Sequence, residues 1–122
     1  MIKVIFCLRR LPHLSLEEFQ RYWREQHGPL VRQHAEALRM RRYVQSHTLD
    51  VPANDALRQS RGTGMPYDGT AEVWWESLED LTAALSTAEG RQADRALRED
   101  ESRFIDLERS TACFVEEQVI IA

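Results

Sequence analysis

Lysine is almost missing from this chain. Of its sixteen basic residues fifteen are arginine, and Lys3 stands alone. The net charge is −4, and most arginines alternate with acids in helix-like segments, so there is no basic footprint for a nucleic-acid partner. The cluster Arg39, Arg41 and Arg42 in "RMRRY" is too short to be one and reads as a solvated strand end. Cysteine is scarce as well. Cys7 and Cys113 lie in apolar, strand-like runs without CxxC spacing. That argues against a disulfide framework or zinc site and for two buried free thiols in a cytoplasmic setting. No secretory signal is expected, and the apolar start "MIKVIFCL" is too short for a membrane span. Nucleotide-binding loops are absent: "GTG" at 62–64 follows no strand and precedes no GK[ST]. The serines lack a G-x-S-x-G setting. His27 and His34 are seven apart across a proline, His13 falls in a loop, and there is no H-x-x-x-H. No metal site and no cofactor are expected.

With 122 residues the chain has room for one modest core, and residues 1–122 read as a single domain. The first strand spans about Ile2–Arg9 and is apolar on both faces: Ile2, Val4, Phe6 and Leu8 on one, Ile5 and Cys7 on the other. Ser15 and Glu18 then form an S-x-x-E capping box, flanked by Leu14 and Phe19 as a hydrophobic staple. Leu16, Phe19, Trp23 and Leu30 follow at helical spacing. Gly28-Pro29 predicts a kink after about Gln26 and a second helical piece through "LVRQHAEAL". A strand fits "RRYVQSHTL", with Tyr43, Gln45 and His47 on one face. The Pro- and Gly-rich stretch 50–70 reads as the longest loop, with a short helix after Asn54 or Asp55. "TAEVWWE" is a third strand, Ser77 caps a helix, and "GRQADRALREDESRFIDL" is a charged helical region with Leu97, Phe104 and Leu107 inward. "TACFVEEQVIIA" is the last strand. The order β-α-β-β-α-β predicts an α+β, ferredoxin-like fold, a four-stranded antiparallel sheet with helices on one face. The two-faced apolar strands leave the other face to cover. A second copy, sheet against sheet, is the simplest cover, which predicts a homodimeric α+β barrel.

His27 is the lead candidate for chemistry, because imidazole titrates near neutral pH and a helix break frees N–H donors beside it. The alternative is that it caps the first helix or bonds a freed carbonyl. Tyr43 and His47, at i and i+4 on one strand face, lie roughly 13 Å apart and would face two ends of one cleft. Tyr43 is suited to polarise an oxygen and His47 to shuttle a proton. Alternation alone does not assign the face, and the alternative is a core tyrosine with a partly exposed strand-end histidine, which for His47 is the favoured reading. Phe6, Trp23, Trp74 and Trp75 supply flat apolar surface for a ring compound, although Trp74 and Trp75 must point to opposite faces. Glu72 shares the Trp74 face and is either paired with an arginine or a functional carboxylate.

The stretch "FQRYWREQHGPLV", with Tyr22-Trp23 followed by His27-Gly28-Pro29, resembles the EthD family of dimeric α+β barrel proteins. The resemblance continues through "AEVWWES" and ends in "FIDLERSTACFVEEQVI", so it covers nearly the whole chain. It implies kinship with polyketide cyclases, dehydratases and decarboxylases of aromatic polyketides, muconolactone isomerases and cofactor-free monooxygenases. It also implies kinship with companions of degradative oxygenases that have no shown activity. A fold this widely used does not choose among them.

The expected function is a cofactor-independent enzyme of lyase or isomerase type. It would act on an apolar oxygenated ring compound, with His27, Tyr43 and His47 as catalytic residues. Phe6, Trp23, Glu72 and Trp74 would bind the substrate. Dehydration, cyclisation, decarboxylation and lactone isomerisation all fit, and a cofactor-free oxidation is a chemical variant. The other reading is a non-catalytic ligand-binding or auxiliary protein beside an oxygenase system.

Overall fold

The computed structural model describes residues 1–122. The sheet comprises β1 (Ile2–Leu8), β2 (Arg42–His47), β3 (Gly69–Trp75) and β4 (Thr111–Val115) in the order β2-β3-β1-β4, with every pairing antiparallel. Between β1 and β2 lie α1 (Leu16–Tyr22), a π-helical segment (Trp23–His27) and α2 (Gly28–His34). The α3 helix (Pro52–Arg61) precedes β3. Then α4 (Leu78–Leu85) and α5 (Ala88–Glu101) lead to β4. This is the ferredoxin-like arrangement that the element order predicts.

Local chemistry explains the helix starts. The Ser15 hydroxyl accepts from Glu18 N, and the Glu18 carboxylate accepts from Ser15 N, each at 3.0 Å. Such a cap is worth about 1 kcal/mol. Ser77 accepts from Asp80 N and Thr87 from Gly90 N in the same way.

The Gly28-Pro29 break does not occur. Gly28 keeps helical dihedrals (φ −54°, ψ −52°), and its N–H reaches back to the Trp23 carbonyl, five residues earlier. A proline in a regular helix clashes with the carbonyl four residues before it and offers no N–H. Widening one turn to π geometry relieves both problems without ending the helix. The widened turn also absorbs one residue, so Trp23, His27 and Val31 all fall on the buried face.

Three other expectations need correction. The helix in the 50–70 stretch begins at Pro52, whose fixed φ suits a first turn, and runs ten residues to a left-handed Gly62 cap (φ 68°). The final strand ends at Val115, and residues 116–122 have no regular structure. The cause is pairing: β4 is an edge strand whose one neighbour, β1, matches Lys3 to Val115 and then runs out. The thiols are not both buried: Cys7 is half-buried and Cys113 exposed.

The helices pack on the face carrying Phe6, Leu8, Tyr43, Ala71 and Trp75. One core joins Leu8, Phe19, Trp23, Ala71, Phe104 and Ile105, and another joins Val31, Leu38, Ala93 and Leu97. Leu107, expected inward, is exposed, because α5 ends at Glu101 and Phe104 and Ile105 turn into the core instead. No helix is long and apolar enough to cross a membrane.

Candidate active site

The two cores meet at a small cavity of about 60 Å³ between the sheet and the helices. Phe6, Trp23, His27, Tyr43, Leu97 and Glu101 are among its walls. A separate, open groove of about 510 Å³ lies between α2 and the edge of β2. Val31, Met40 and Tyr43 line both spaces and form the partition between them.

His27 comes from the π segment and is 5% exposed. Its Nδ1 lies 2.7 Å from Asp100 Oδ2 on α5, and Asp100 is equally buried. Asp100 Oδ1 accepts from the Tyr22 hydroxyl at 2.6 Å and from Arg103 at 3.1 Å. Burial pushes the Asp100 carboxyl up. Hydrogen bonds from Tyr22, His27 and Arg103 outweigh it and hold the group below the usual carboxylate range. For His27 burial dominates over Asp100, and the imidazole sits below its ordinary value. The pair is therefore a carboxylate with a neutral imidazole, Nδ1–H donating to Asp100. Nε2 keeps its lone pair, and the imidazole's side-chain hydrogen bond is to Asp100 alone.

Glu101, next to Asp100 in sequence, lines the cavity, and its carboxyl accepts no hydrogen bond. Burial, with Asp94 and Asp100 adding to it and Arg98 opposing, pushes its carboxyl up to about 7. One cavity thus holds a neutral imidazole and a carboxyl group that changes charge near neutrality.

Tyr43 is fixed by a short chain of hydrogen bonds. The His47 Nε2–H donates to Gln45 Oε1 at 2.8 Å. Gln45 Nε2 donates to the Tyr43 oxygen at 3.0 Å and to the Trp23 carbonyl at 2.9 Å. The Trp23 indole N–H reaches the same tyrosine oxygen at 3.2 Å. With two donors on its oxygen, Tyr43 has its own O–H free to donate into the cavity. The Trp23 ring lies against Gly69, where a Cβ would come within 2.4 Å of it, so the indole needs a glycine under it.

The expected residues therefore separate. His27, Tyr43, Phe6 and Trp23 converge on the cavity. His47 does not reach it: its ring stacks on Trp23 with centroids 4.4 Å apart and its Nε2 holds Gln45. From there it orders the Trp23 ring and the Gln45 amide. Glu72 and Trp74 lie on the opposite sheet face because they alternate with Ala71, Val73 and Trp75. Glu72 pairs with Lys3 rather than an arginine. Trp74 donates to Glu117 and is flanked by Lys3 and Arg42.

Asp100, Glu101 and Gln45 were not singled out from the sequence. A signal existed for the acids: Leu97, Asp100, Glu101 and Phe104 recur at i, i+3, i+4 and i+7, which places both carboxyls on the inner face. No group of three or more His, Cys, Asp or Glu side chains is placed to hold a metal ion.

Comparison with known proteins agrees with the fold. Among solved structures, an ethyl tert-butyl ether d (EthD) family protein from Bacillus halodurans superposes with a TM-score of 0.62 at 20% identity. That match covers 97% of this chain and 99% of that one. An EthD-like protein from Ralstonia eutropha gives 0.64 at 16%, covering 99% and 95%. SnoaB, a cofactor-independent oxygenase from Streptomyces nogalater, gives 0.53 at 13%, covering 98% and 95%. These likenesses establish the shared fold. No curated protein matches the chain. The model of the EthD domain matches residues 11–108, a span that includes the His27-Asp100 pair, Tyr43 and Glu101, and the chain belongs to the EthD family.

Proposed function

We propose that this chain works as one EthD-like domain and is a cofactor-independent enzyme of lyase or isomerase type. It moves a proton next to a carbonyl in an apolar oxygenated ring compound. One observation carries the reading: the His27-Asp100 pair leaves Nε2 free in a cavity that Tyr43 and Glu101 also line. In the reaction Nε2 takes a proton from the carbon beside the carbonyl. The electron pair moves onto the carbonyl oxygen, where the Tyr43 O–H meets it. Asp100 stabilises the imidazolium, and Glu101 returns or removes a second proton. Dehydration, cyclisation and lactone isomerisation share this first step, whereas decarboxylation reaches the same enolate by losing carbon dioxide and needs only the Tyr43 hydrogen bond and the returned proton. Cofactor-free oxidation would share the first step too, and SnoaB, described as a cofactor-independent oxygenase, has the same fold.

The inner cavity limits how a ring is held. A benzene ring occupies a cavity of about 150 Å³, so about 60 Å³ accepts a substituent or a few waters. The body of the substrate lies in the outer groove, with its reacting end passing Tyr43. The same dimensions favour the second reading, a non-catalytic ligand-binding or auxiliary protein, which needs only the groove. Deuterium exchange at the α-carbon of 2-tetralone in D2O, followed by NMR, separates the two. Exchange above buffer that falls in His27→Ala by on the order of 10²–10⁴ supports the enzyme. Exchange equal to buffer, or unchanged in a folded His27→Ala, removes it.

The chain pairs with a second copy, sheet against sheet. The sheet face away from the helices carries Ile5, Val44 and Val115, and beyond β4 Ile120 and Ile121 are 89% and 91% exposed. A ferredoxin-like protein from Thermobifida fusca with this fold is described as dimeric. Two free thiols suit a reducing, cytoplasmic setting.

A further inference from the structure

The outer groove gathers four arginines from two consecutive elements. Arg24 and Arg32 come from the long helix, Arg41 and Arg42 from the entry to β2, and no aspartate or glutamate lines it. On a regular helix residues i and i+7 share a face. The residue absorbed by the π segment makes i and i+8 do so here, which brings Arg24 and Arg32 to one wall. Trp23 and Val31, spaced identically, share the buried face.

The four guanidinium groups are not equally engaged. Arg41 pairs with Glu76 at 3.0 Å, and Arg42 lies over the Trp74 ring, so both are held from outside the groove. Arg24 has only its sequence neighbour Glu25, at 3.7 Å, and Arg32 makes no ion pair. In a chain of net charge −4 this is a local excess of positive charge that Glu25 and Glu76 only partly offset. Guanidinium groups meet carboxylate and phosphate oxygens in two-pronged geometry. The groove's volume of about 510 Å³ is ample for a ring compound. Pro29, Met40 and Tyr43 supply an apolar wall, and Tyr43 stands between the groove and the inner cavity.

We propose that the groove binds the oxyanionic end of an apolar ring compound, Arg24 and Arg32 holding its carboxylate or phosphate oxygens and Tyr43 and Met40 meeting its ring. The placing of the reacting end toward His27 rests on the function proposed above; the anion site does not.

Isothermal titration with 2-naphthoate, 2-naphthyl phosphate and neutral 2-naphthamide tests it. The expected result is at least one anion bound about tenfold or more tighter than the amide at low salt, the preference shrinking as salt rises. Which anion wins identifies the oxyacid. Arg24→Gln and Arg32→Gln should each weaken the anion several-fold and leave the amide unchanged. Both side chains are exposed, so the melting temperature should hold. Equal binding of all three probes, no binding of any, or full anion preference in the double variant would overturn the proposal. His27→Ala keeps the readouts apart. Anion preference without wild-type tetralone exchange removes the catalytic reading alone, and exchange without anion preference removes the groove alone.

Discussion

Asp100 and Glu101 are adjacent carboxyls held at opposite ends of their range. Asp100 receives hydrogen bonds from Tyr22, His27 and Arg103 and stays ionised. The Glu101 carboxyl receives none, is half-buried and feels two other acids, and is pushed up to about 7. The consequence for stability has a definite sign. Below pH 4.5 Glu101 is protonated in both folded and unfolded chains and costs nothing. Between 4.5 and about 7 the unfolded chain loses the proton while the folded one keeps it, so folding becomes progressively less favourable. Glu101→Gln should therefore raise the melting temperature by several degrees at pH 8 and by little at pH 4, measured by calorimetry across that range. His27 works the other way. Its folded value lies below 6.5, so the unfolded chain takes up the proton first and stability falls as pH drops through 6.5. For turnover, His27 must be neutral and Glu101, as acid, protonated. Tetralone exchange should then trace a bell with its falling limb near pH 7, and Glu101→Gln, which has no proton to give, should lower exchange below pH 7 and leave no such limb. Asp100→Asn should slow exchange to about the level of His27→Ala, because the neutral amide no longer stabilises the imidazolium.

Among the elements, the long helix is the one the sequence describes best and also misdescribes. Its start at Ser15 follows from the capping box, and its buried Phe19 and Trp23 follow from spacing. The expected break at Gly28-Pro29 fails because a proline's missing bond can be absorbed by one widened turn when neighbouring elements hold the rest. Gln45 from β2 supplies a donor to the Trp23 carbonyl, which a single-element reading has no means of counting. Strand alternation places Tyr43, Gln45 and His47 together but leaves open which face they occupy. Packing against Trp23 decides it, and the same decision sends Glu72 and Trp74 away from the site. The join between β3 and this helix is tight at Gly69. Gly69→Ala should cost roughly 1–3 kcal/mol in urea unfolding, because its methyl group would overlap the Trp23 ring. The displaced indole would also release Tyr43, so tetralone exchange should fall more than stability alone explains.

For the whole molecule the open question is what covers the second sheet face. Ile5, Val44, Val115 and the exposed Cys113 sit there with Trp74. Sedimentation at micromolar concentration should report a dimer, and Val44→Asp should shift it to monomer by placing a charge in the apolar contact. A stable wild-type monomer would contradict the paired-sheet reading. Charge also divides at this scale. The net negative chain concentrates four arginines along one groove, and a strand-end reading of "RMRRY" could not see Arg24 and Arg32 arriving beside it.

Element order, helix caps and apolar alternation are local properties, set by bonds within a few residues and by the burial of apolar side chains. They suffice for the β-α-β-β-α-β order and for His27, Tyr43, Phe6 and Trp23 as residues to watch. The acid–base character of the site is not local. It depends on α5 carrying Asp100 and Glu101 against a helix more than seventy residues earlier, and on how completely water is excluded there. Desolvation and hydrogen bonding between distant segments set those protonation states, and only the packed tertiary structure fixes either.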